Sequence, residues 1–196
     1  MKRTEEVFRE ILYQSFEKKN KVLTQMQLSK ELRMSLSNVN LALKQLEKMG
    51  AVNIKQRNFH VINAKKILYY WASARNVEKD IIYKTRIELS VHEIENKMPA
   101  DIVFGAYSSC RFKFKESAAD YSEVYVYSDD LTEIKRRFPE NNKLPNLFVL
   151  KSDSNIRNYG NTTTIANTFV DLWNLKEWYA KEFIKILEEK LNELLE

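Results

Sequence analysis

Apolar residues recur at helical spacing through most of the first seventy-four positions. In EEVFREILYQSFEK, residues 5–18, Val7, Phe8, Ile11, Leu12 and Phe16 fall near one face of a 3.6-residue repeat. Glu5 and Glu6 suit the first turn and Lys18 the last, because a helix is electropositive at its start and electronegative at its end. A linker follows and ends at Leu23. Thr24 then stands as the cap of a short helix, QMQLSKELR, with Gln27 three residues on as capping-box partner. Leu28 and Leu32 share a face. Met34 and Ser35 form a turn, and Ser35 or Ser37 caps a second helix running through NVNLALKQLEKM. Val39, Ala42, Leu43 and Leu46 are its apolar stripe, and Gly50 is a natural stop.

After Gly50 the period changes. Ala51, Val52 and Ile54 predict a short strand, Lys55-Gln56-Arg57-Asn58 a polar turn, and Phe59, Val61 and Ile62 a return strand. Asn63 caps a helix over 64–74, AKKILYYWASA. Its five consecutive large residues, Ile67 to Trp71, predict burial on several sides, against neighbouring domains or a second subunit. Residues 77–84 continue as helix or turn, and 87–98, IELSVHEIENKM, are helical up to Pro99.

Beyond Pro99 strands and helices mix. Residues 101–104 predict a strand, and 106–114 either the start of a helix or a second strand. SEVYVYS, 122–128, alternates as a strand does. LTEIKRRF is a helix ending at Pro139, NLFVLKSD a strand, 153–161 a polar loop and TTTI a short strand. Residues 166–172 form a short apolar helix. Residues 175–195 form a long terminal helix, with Trp178, Phe183, Ile184, Leu187, Leu191 and Leu194 or Leu195 inside. The expectation is an α+β chain in three parts: an N-terminal domain, 1–63; a helical linker or dimerisation segment, 64–98; and a small α/β domain, 99–196, with a long terminal helix.

The order of elements in residues 5–63, and the phrase LTQMQLSKELRMSLSNVNLALKQLEKMGAV, resemble the winged helix-turn-helix domains of transcriptional regulators. The resemblance implies a second helix in the major groove of double-stranded DNA and a hairpin wing on the adjacent groove or backbone. Candidate DNA contacts are Thr24 and Gln25 at the start of the preceding helix. Ser35, Ser37, Asn38, Asn40 and Lys44, with Gln45, lie on the recognition helix. Lys55, Arg57 and Asn58 lie at the hairpin tip. Their hydroxyl, amide and ammonium groups suit phosphates and base edges, and Asn or Gln can bond adenine through two hydrogen bonds. No arginine stands on the outer face of that helix, so guanine readout has no obvious carrier. The alternative for each residue is a solvated surface position. Winged helices that bind RNA or protein leave a protein-interaction adaptor open as well.

Charge favours a polyanion at the front. Residues 1–63 hold 12 Lys/Arg against 6 Asp/Glu, residues 64–98 hold 7 against 5, and residues 99–196 hold 13 against 16, within a total of +5. The acidic rear suits a protein partner.

Residues 101–190 carry two further resemblances. Phe104-Gly105-Ala106, Val124-Tyr125-Val126, and Phe169-Val170-Asp171-Leu172 with Ala180-Lys181-Glu182 resemble the C-terminal domain of antitoxin-type regulators of abortive-infection, type IV toxin–antitoxin systems. FGAYSS and YSEVYVY resemble a nucleotidyltransferase core, whose Gly-Ser and paired carboxylates hold Mg²⁺ against a nucleotide. Here Gly105 matches, Ala106 replaces Ser, Glu123 matches one carboxylate and Tyr125 replaces the other. A lone carboxylate makes a weak metal site, so that resemblance implies lost activity; Asp120, Asp129 and Asp130 stay open as substitutes. No catalytic residue, cofactor or metal is assigned. The function expected is a DNA-binding transcriptional regulator whose C-terminal part dimerises, senses or binds a protein. A divergent nucleotidyltransferase with a nucleic-acid-binding head is the alternative.

The remaining chemistry is sparse. One cysteine excludes an intramolecular disulfide and a multi-cysteine metal site, and Cys110 is expected as a small buried residue. His60 and His92 lack metal-ligand spacing. His60 suits a core edge or a phosphate, and His92 a packed or surface position. Asp171 is expected to cap a helix or bond a backbone amide. Arg111, Lys113 and Lys115 form an alternating basic strip if they share a strand, otherwise a solvated face. No apolar run reaches the ~18 residues of a membrane span and the first ten residues are polar, so a cytoplasmic protein without membrane contact, possible as a homodimer, is expected.

Overall fold

Helix α1 (Arg3–Phe16) buries Val7, Phe8, Ile11, Leu12 and Phe16, the stripe its periodicity requires. Each such side chain contributes roughly 1.5–3 kcal/mol of burial. The computed structural model describes residues 1–115 and 118–195, the side chain of Leu195 lying outside the described residues. Within them the chain is a mixed α+β fold with two small sheets.

The first sheet is small because each of its strands is. Val22–Leu23 (β1), Val52–Ile54 (β2) and Phe59–Val61 (β3) pair antiparallel in the order β1-β3-β2. The expected linker before Thr24 is therefore partly strand: Leu23 pairs with Phe59, and both are fully buried. Between these strands lie α2 (Gln25–Glu31) and α3 (Leu36–Lys48). Thr24 Oγ1 accepts from Gln27 N at 3.0 Å, and Ser35 Oγ from Asn38 N at 3.3 Å. Gln27 does not return the bond; its amide donates to Glu31 at 3.0 Å, so the capping box is half made. The turn between α2 and α3 is pinned from Ser29. Its hydroxyl donates to the Met34 carbonyl at 2.6 Å, and its carbonyl accepts from Met34 N at 3.1 Å. Arg33 sits there at φ +49°, a left-handed conformation that a non-glycine residue adopts only at a cost. Gly50, at φ +69°, ends α3 as expected. Asn63 caps α4 (Ala64–Ala74) through Lys66 N at 2.9 Å. Ile67, Leu68 and Trp71 are buried, whereas Tyr69 and Tyr70 are over a third exposed, so α4 is covered on one side only.

Residues 77–84 depart from the helical expectation. After a 3-10 turn at Glu78–Asp80 they form strand β4 (Ile81–Thr85), the edge of the second sheet. Residues 87–98 are helical only as α5 (Val91–Asn96), with a full capping box between Ser90 and Glu93. The second sheet runs β4-β7-β6-β5, with β5 (Val103–Phe104), β6 (Val124–Ser128) and β7 (Leu147–Lys151). Only β6 and β7 are parallel; β4 on β7 and β5 on β6 are antiparallel. All five residues of β6 are buried, because both faces are covered. Val124 and Val126 pack with Ile94 of α5 and Ile134 of α7 (Thr132–Arg137). Tyr125 and Tyr127 pack with α6 (Ala106–Phe114), α8 (Ile165–Trp173) and α9 (Ala180–Leu195).

These elements refine two of the expectations and correct two. Residues 106–114 are helix, so Arg111 and Lys113 are not a strand strip; Arg111 pairs with Glu95 and Lys113 with Glu17 at 3.7 Å. The polar loop at 153–161 contains a 3-10 turn, Ile156–Tyr159. Thr162 makes only an isolated bridge to Phe104, and Thr164 caps α8 through Asn167 N at 3.1 Å, so TTTI is not a strand. The terminal helix starts at Ala180, not 175, and Trp178 before it is 74% exposed rather than inside. Phe183, Leu187 and Leu191 are buried as expected.

The polar side of α1 is also buried. Arg9, fully enclosed, donates to Asp153 through Nη1 and Nη2 at 2.8 and 2.6 Å. Asn155 donates to Glu6 Oε2 at 2.8 Å and to the Leu32 carbonyl at 3.1 Å. Tyr159 donates to Glu10 at 2.5 Å. α1 thus packs on α3 and α4 with its apolar stripe while its polar stripe meets the segment after β7. Arg9→Met is expected to lower the unfolding free energy by about 3–5 kcal/mol in denaturant titrations, because it strands a buried carboxylate. Adding Asp153→Asn should recover part of that loss; equal destabilisation of single and double variants would show the pair to be uncoupled.

Candidate nucleic-acid interface

Helix periodicity divides α3 into two faces. Val39, Ala42, Leu43 and Leu46 point into the core, and α3 packs on α1, α2 and β2. The opposite face carries Ser37, Leu41, Lys44 and Lys48, all exposed, flanked by Leu36, Asn40 and Gln45. Asn38 and Asn40 are half-buried. Of the residues expected at this surface, Ser35, Ser37, Lys44, Lys55 and Arg57 are exposed, and Thr24 and Gln25 are half-buried at the start of α2. Thr24 and Ser35 spend an oxygen lone pair on their caps and keep a hydroxyl hydrogen to give. Lys55 N bonds the Asn58 carbonyl at 2.8 Å, which closes the β2–β3 hairpin and puts Gln56 and Arg57 at its tip. Asn58 is less available than expected, since its side-chain oxygen is buried without a partner.

The charge pattern is one-sided. Residues 24–58 contain Lys30, Arg33, Lys44, Lys48, Lys55 and Arg57, all exposed, against Glu31 and Glu47. Among the described residues none of these six cations takes part in an ion pair. Some cations elsewhere are matched, Arg136 with Glu133, Arg157 with Asp129 and Lys143 with Glu88, while others, such as Lys66 and Lys84, have no ion pair among the described residues; what marks residues 24–58 is the excess of six cations over two carboxylates. Unmatched cations beside an uncovered helix face attract polyanions.

No family model, curated protein or solved structure matches the chain.

The region around Gly105 is filled by the protein itself. A Cβ there would lie 3.0 Å from the Tyr127 ring and 3.5 Å from Asp171 Oδ2. Glu123 contacts the Tyr179 hydroxyl, and Glu177 accepts from Tyr125 at 3.3 Å and Tyr107 at 3.1 Å. Burial, then the charge of Glu177, pushes the Glu123 carboxyl up. Asp129 and Asp130 lie past the other end of β6, roughly 20 Å from Glu123 at strand rise. They hold Arg157 and the amide of Thr132. Among the described residues no group of three or more His, Cys, Asp or Glu side chains is arranged to hold a metal ion. Burial pushes the Cys110 thiol up to about 12, and His92 is exposed, 3.8 Å from Glu95.

A buried polar cluster is the feature that the sequence pattern missed. Asp171 neither caps a helix nor bonds a backbone amide. It lies inside α8, 1% exposed, and accepts from the Tyr127 hydroxyl at 2.8 Å and Asn167 Nδ2 at 2.9 Å. Arg75, just after α4, reaches Asp171 at 3.8 Å, Glu5 at 3.4 Å, the Tyr127 hydroxyl at 3.4 Å and also Asp80. Trp71 Nε1 donates to Glu5 at 3.2 Å. One guanidinium thus faces three carboxylates, with the Met1 amino group at Asp80 as the only other cation there among the described residues. Burial pushes the Asp171 carboxyl up to about 6, against the pull of Arg75 and Tyr127 and with help from Asp80 and Glu5.

Folding therefore takes up a proton at Asp171 between its unfolded value of 3.8 and about 6. The associated stabilisation is complete below about pH 4 and is lost as pH rises through 6. Stability of the wild type relative to Asp171→Asn is expected to fall over that window, by an amount on the order of 3 kcal/mol. Thermal melts of both proteins across the range check it; a constant difference would mean that Asp171 does not titrate there.

Proposed function

We propose that this chain is a DNA-binding transcriptional regulator of the winged helix-turn-helix kind. α2 and α3 form the helix-turn-helix, α3 enters the major groove, and the β2–β3 hairpin lies on the adjacent groove or backbone. The observation that carries this is the outer face of α3, exposed and carrying Lys44 and Lys48, in a segment, residues 24–58, whose six exposed cations have no carboxylate partner among the described residues. Such cations gain most when they displace counterions from a phosphate backbone. Lys44 and Lys48 sit in the second half of α3, and Lys55 and Arg57 on the hairpin. The caps of α2 and α3 leave backbone amides and the Thr24 and Ser35 hydroxyls at helix starts, where phosphate oxygens are favoured.

The rest of the chain would then dimerise, sense an effector or bind a protein, as its resemblance to antitoxin-type regulators implies. A second copy would meet the exposed side of α4, where Tyr69 and Tyr70 are over a third exposed although Tyr69 bonds Glu188 and Tyr70 packs on Phe8.

Titration with random duplex DNA at two salt concentrations tests the proposal. Wild-type affinity is expected to fall steeply with salt. Lys44→Ala/Arg57→Ala should bind at least about tenfold more weakly at low salt, with a log–log salt slope shallower by about 2. No wild-type affinity at low salt, or a double variant identical to wild type, would overturn it.

A further inference from the structure

The outer face of α3 has a feature that phosphate binding does not use. Leu36 is 46% exposed at the edge of the helix's apolar stripe, and Leu41 is 54% exposed on the side away from that stripe. Neither joins the buried core clusters. Leu41 lies between Ser37 and Gln45 on the helix surface, and Leu36 lies one turn before Asn40. The first half of α3 therefore presents isobutyl, hydroxyl and amide groups and no cation. The second half presents Lys44 and Lys48. In a recognition helix the N-terminal residues meet base edges.

We infer that α3 selects A·T base pairs, Asn40 bonding adenine and Leu41 packing on the thymine methyl. The inference rests on the DNA-binding function proposed above and names the sequence class that it reads. The chemistry is specific. Adenine shows the major groove an acceptor at N7 and a donor at N6, which a carboxamide matches with two hydrogen bonds. Thymine alone among the four bases adds a methyl group, which an exposed apolar side chain can desolvate. Guanine, with two acceptors, takes arginine or lysine. No arginine occurs in α3, and its lysines, Lys44 and Lys48, lie in its second half, past the N-terminal residues that meet base edges. Ser37 accepts either pair. Lys44 and Lys48 supply affinity from the second half of the helix while Asn40 and Leu41 discriminate from the first.

Competition binding at fixed salt, with A·T-rich and G·C-rich duplexes of equal length, measures the preference. Wild type is expected to favour the A·T-rich duplex by about tenfold or more. Replacing thymine by deoxyuridine removes only the methyl and should weaken wild-type binding about three- to fourfold per contacted methyl. The same replacement should leave Leu41→Ala unaffected. Replacing adenine by 7-deazaadenine should weaken wild type and leave Asn40→Ala unaffected. Leu41 is exposed and Asn40 half-buried, and neither belongs to the buried apolar core.

Salt-dependent binding with equal affinity for the two duplexes would overturn the A·T assignment and leave DNA binding standing. So would a methyl effect that persists in Leu41→Ala. Absence of binding to any duplex at low salt would overturn both and return Leu36 and Leu41 to a protein-facing surface.

Discussion

Arg9 carries a permanent charge to a place with no exposure, and Asp153 meets it with two hydrogen bonds of 2.8 and 2.6 Å. Desolvating two ions costs several kcal/mol each, and only close, well-directed pairing repays it. That requirement fixes the rest of α1. With Arg9 on Asp153, Glu6 comes to Asn155, Glu10 to Tyr159, and the opposite stripe of Val7, Phe8, Ile11 and Leu12 closes the core. Asn155 also bonds the Leu32 carbonyl at the end of α2. One helix therefore orients α2 and α3 against the segment that follows β7, and the posture of the candidate interface depends on it.

The cluster at Arg75 works differently. Arg9 has one carboxylate and matches it, whereas Arg75 faces Glu5, Asp80 and Asp171. Burial beside Tyr127 and Asn167, with the charges of Asp80 and Glu5 adding to it, is why the Asp171 carboxyl is raised to about 6. Tyr127 ties that cluster to the sheet, and its ring occupies the space over Gly105. Gly105 thus serves close approach, not a turn: a side chain there would press on a tyrosine held by Asp171. The likeness of FGAYSS to a nucleotide-binding strand end has its physical counterpart in packing against Tyr127.

Much of the N-terminal half was legible because its elements obey local rules. The apolar stripes of α1, α3 and α4, the caps Thr24, Ser35 and Asn63, the stop at Gly50 and the hairpin follow from spacing within a few residues. The outward residues of α3 were legible for the same reason, being the complement of its buried stripe. Asn58 was not, because the burial of its side-chain oxygen depends on how the hairpin folds back. β4 was read as helix or turn because VEKDIIYK has no alternation of its own; it is a strand because β7, over sixty residues later, offers an edge. The same limit hid the polar burial. Periodicity reports which residues are apolar. It cannot report that Glu5, Glu6, Arg9 and Glu10 find partners up to 149 residues away. Trp178 shows the converse: an aromatic read as core stands in solvent because the helix begins two residues after it.

These two clusters constrain how the halves of the chain could influence each other. Swinging α3 relative to the second sheet would separate Arg9 from Asp153 and Asn155 from both Glu6 and Leu32. Breaking one buried pair alone costs about 3–5 kcal/mol, comparable to a large part of a domain's whole stability. A hinge at this joint is therefore opposed by the same interactions that build it. The Arg75 cluster is the softer joint, because its charge imbalance already works against it above pH 6. An event in the C-terminal half would reach α3 at lower cost by acting on the Glu5–Arg75–Asp171 cluster at the start of α1 than by bending the chain between its two sheets.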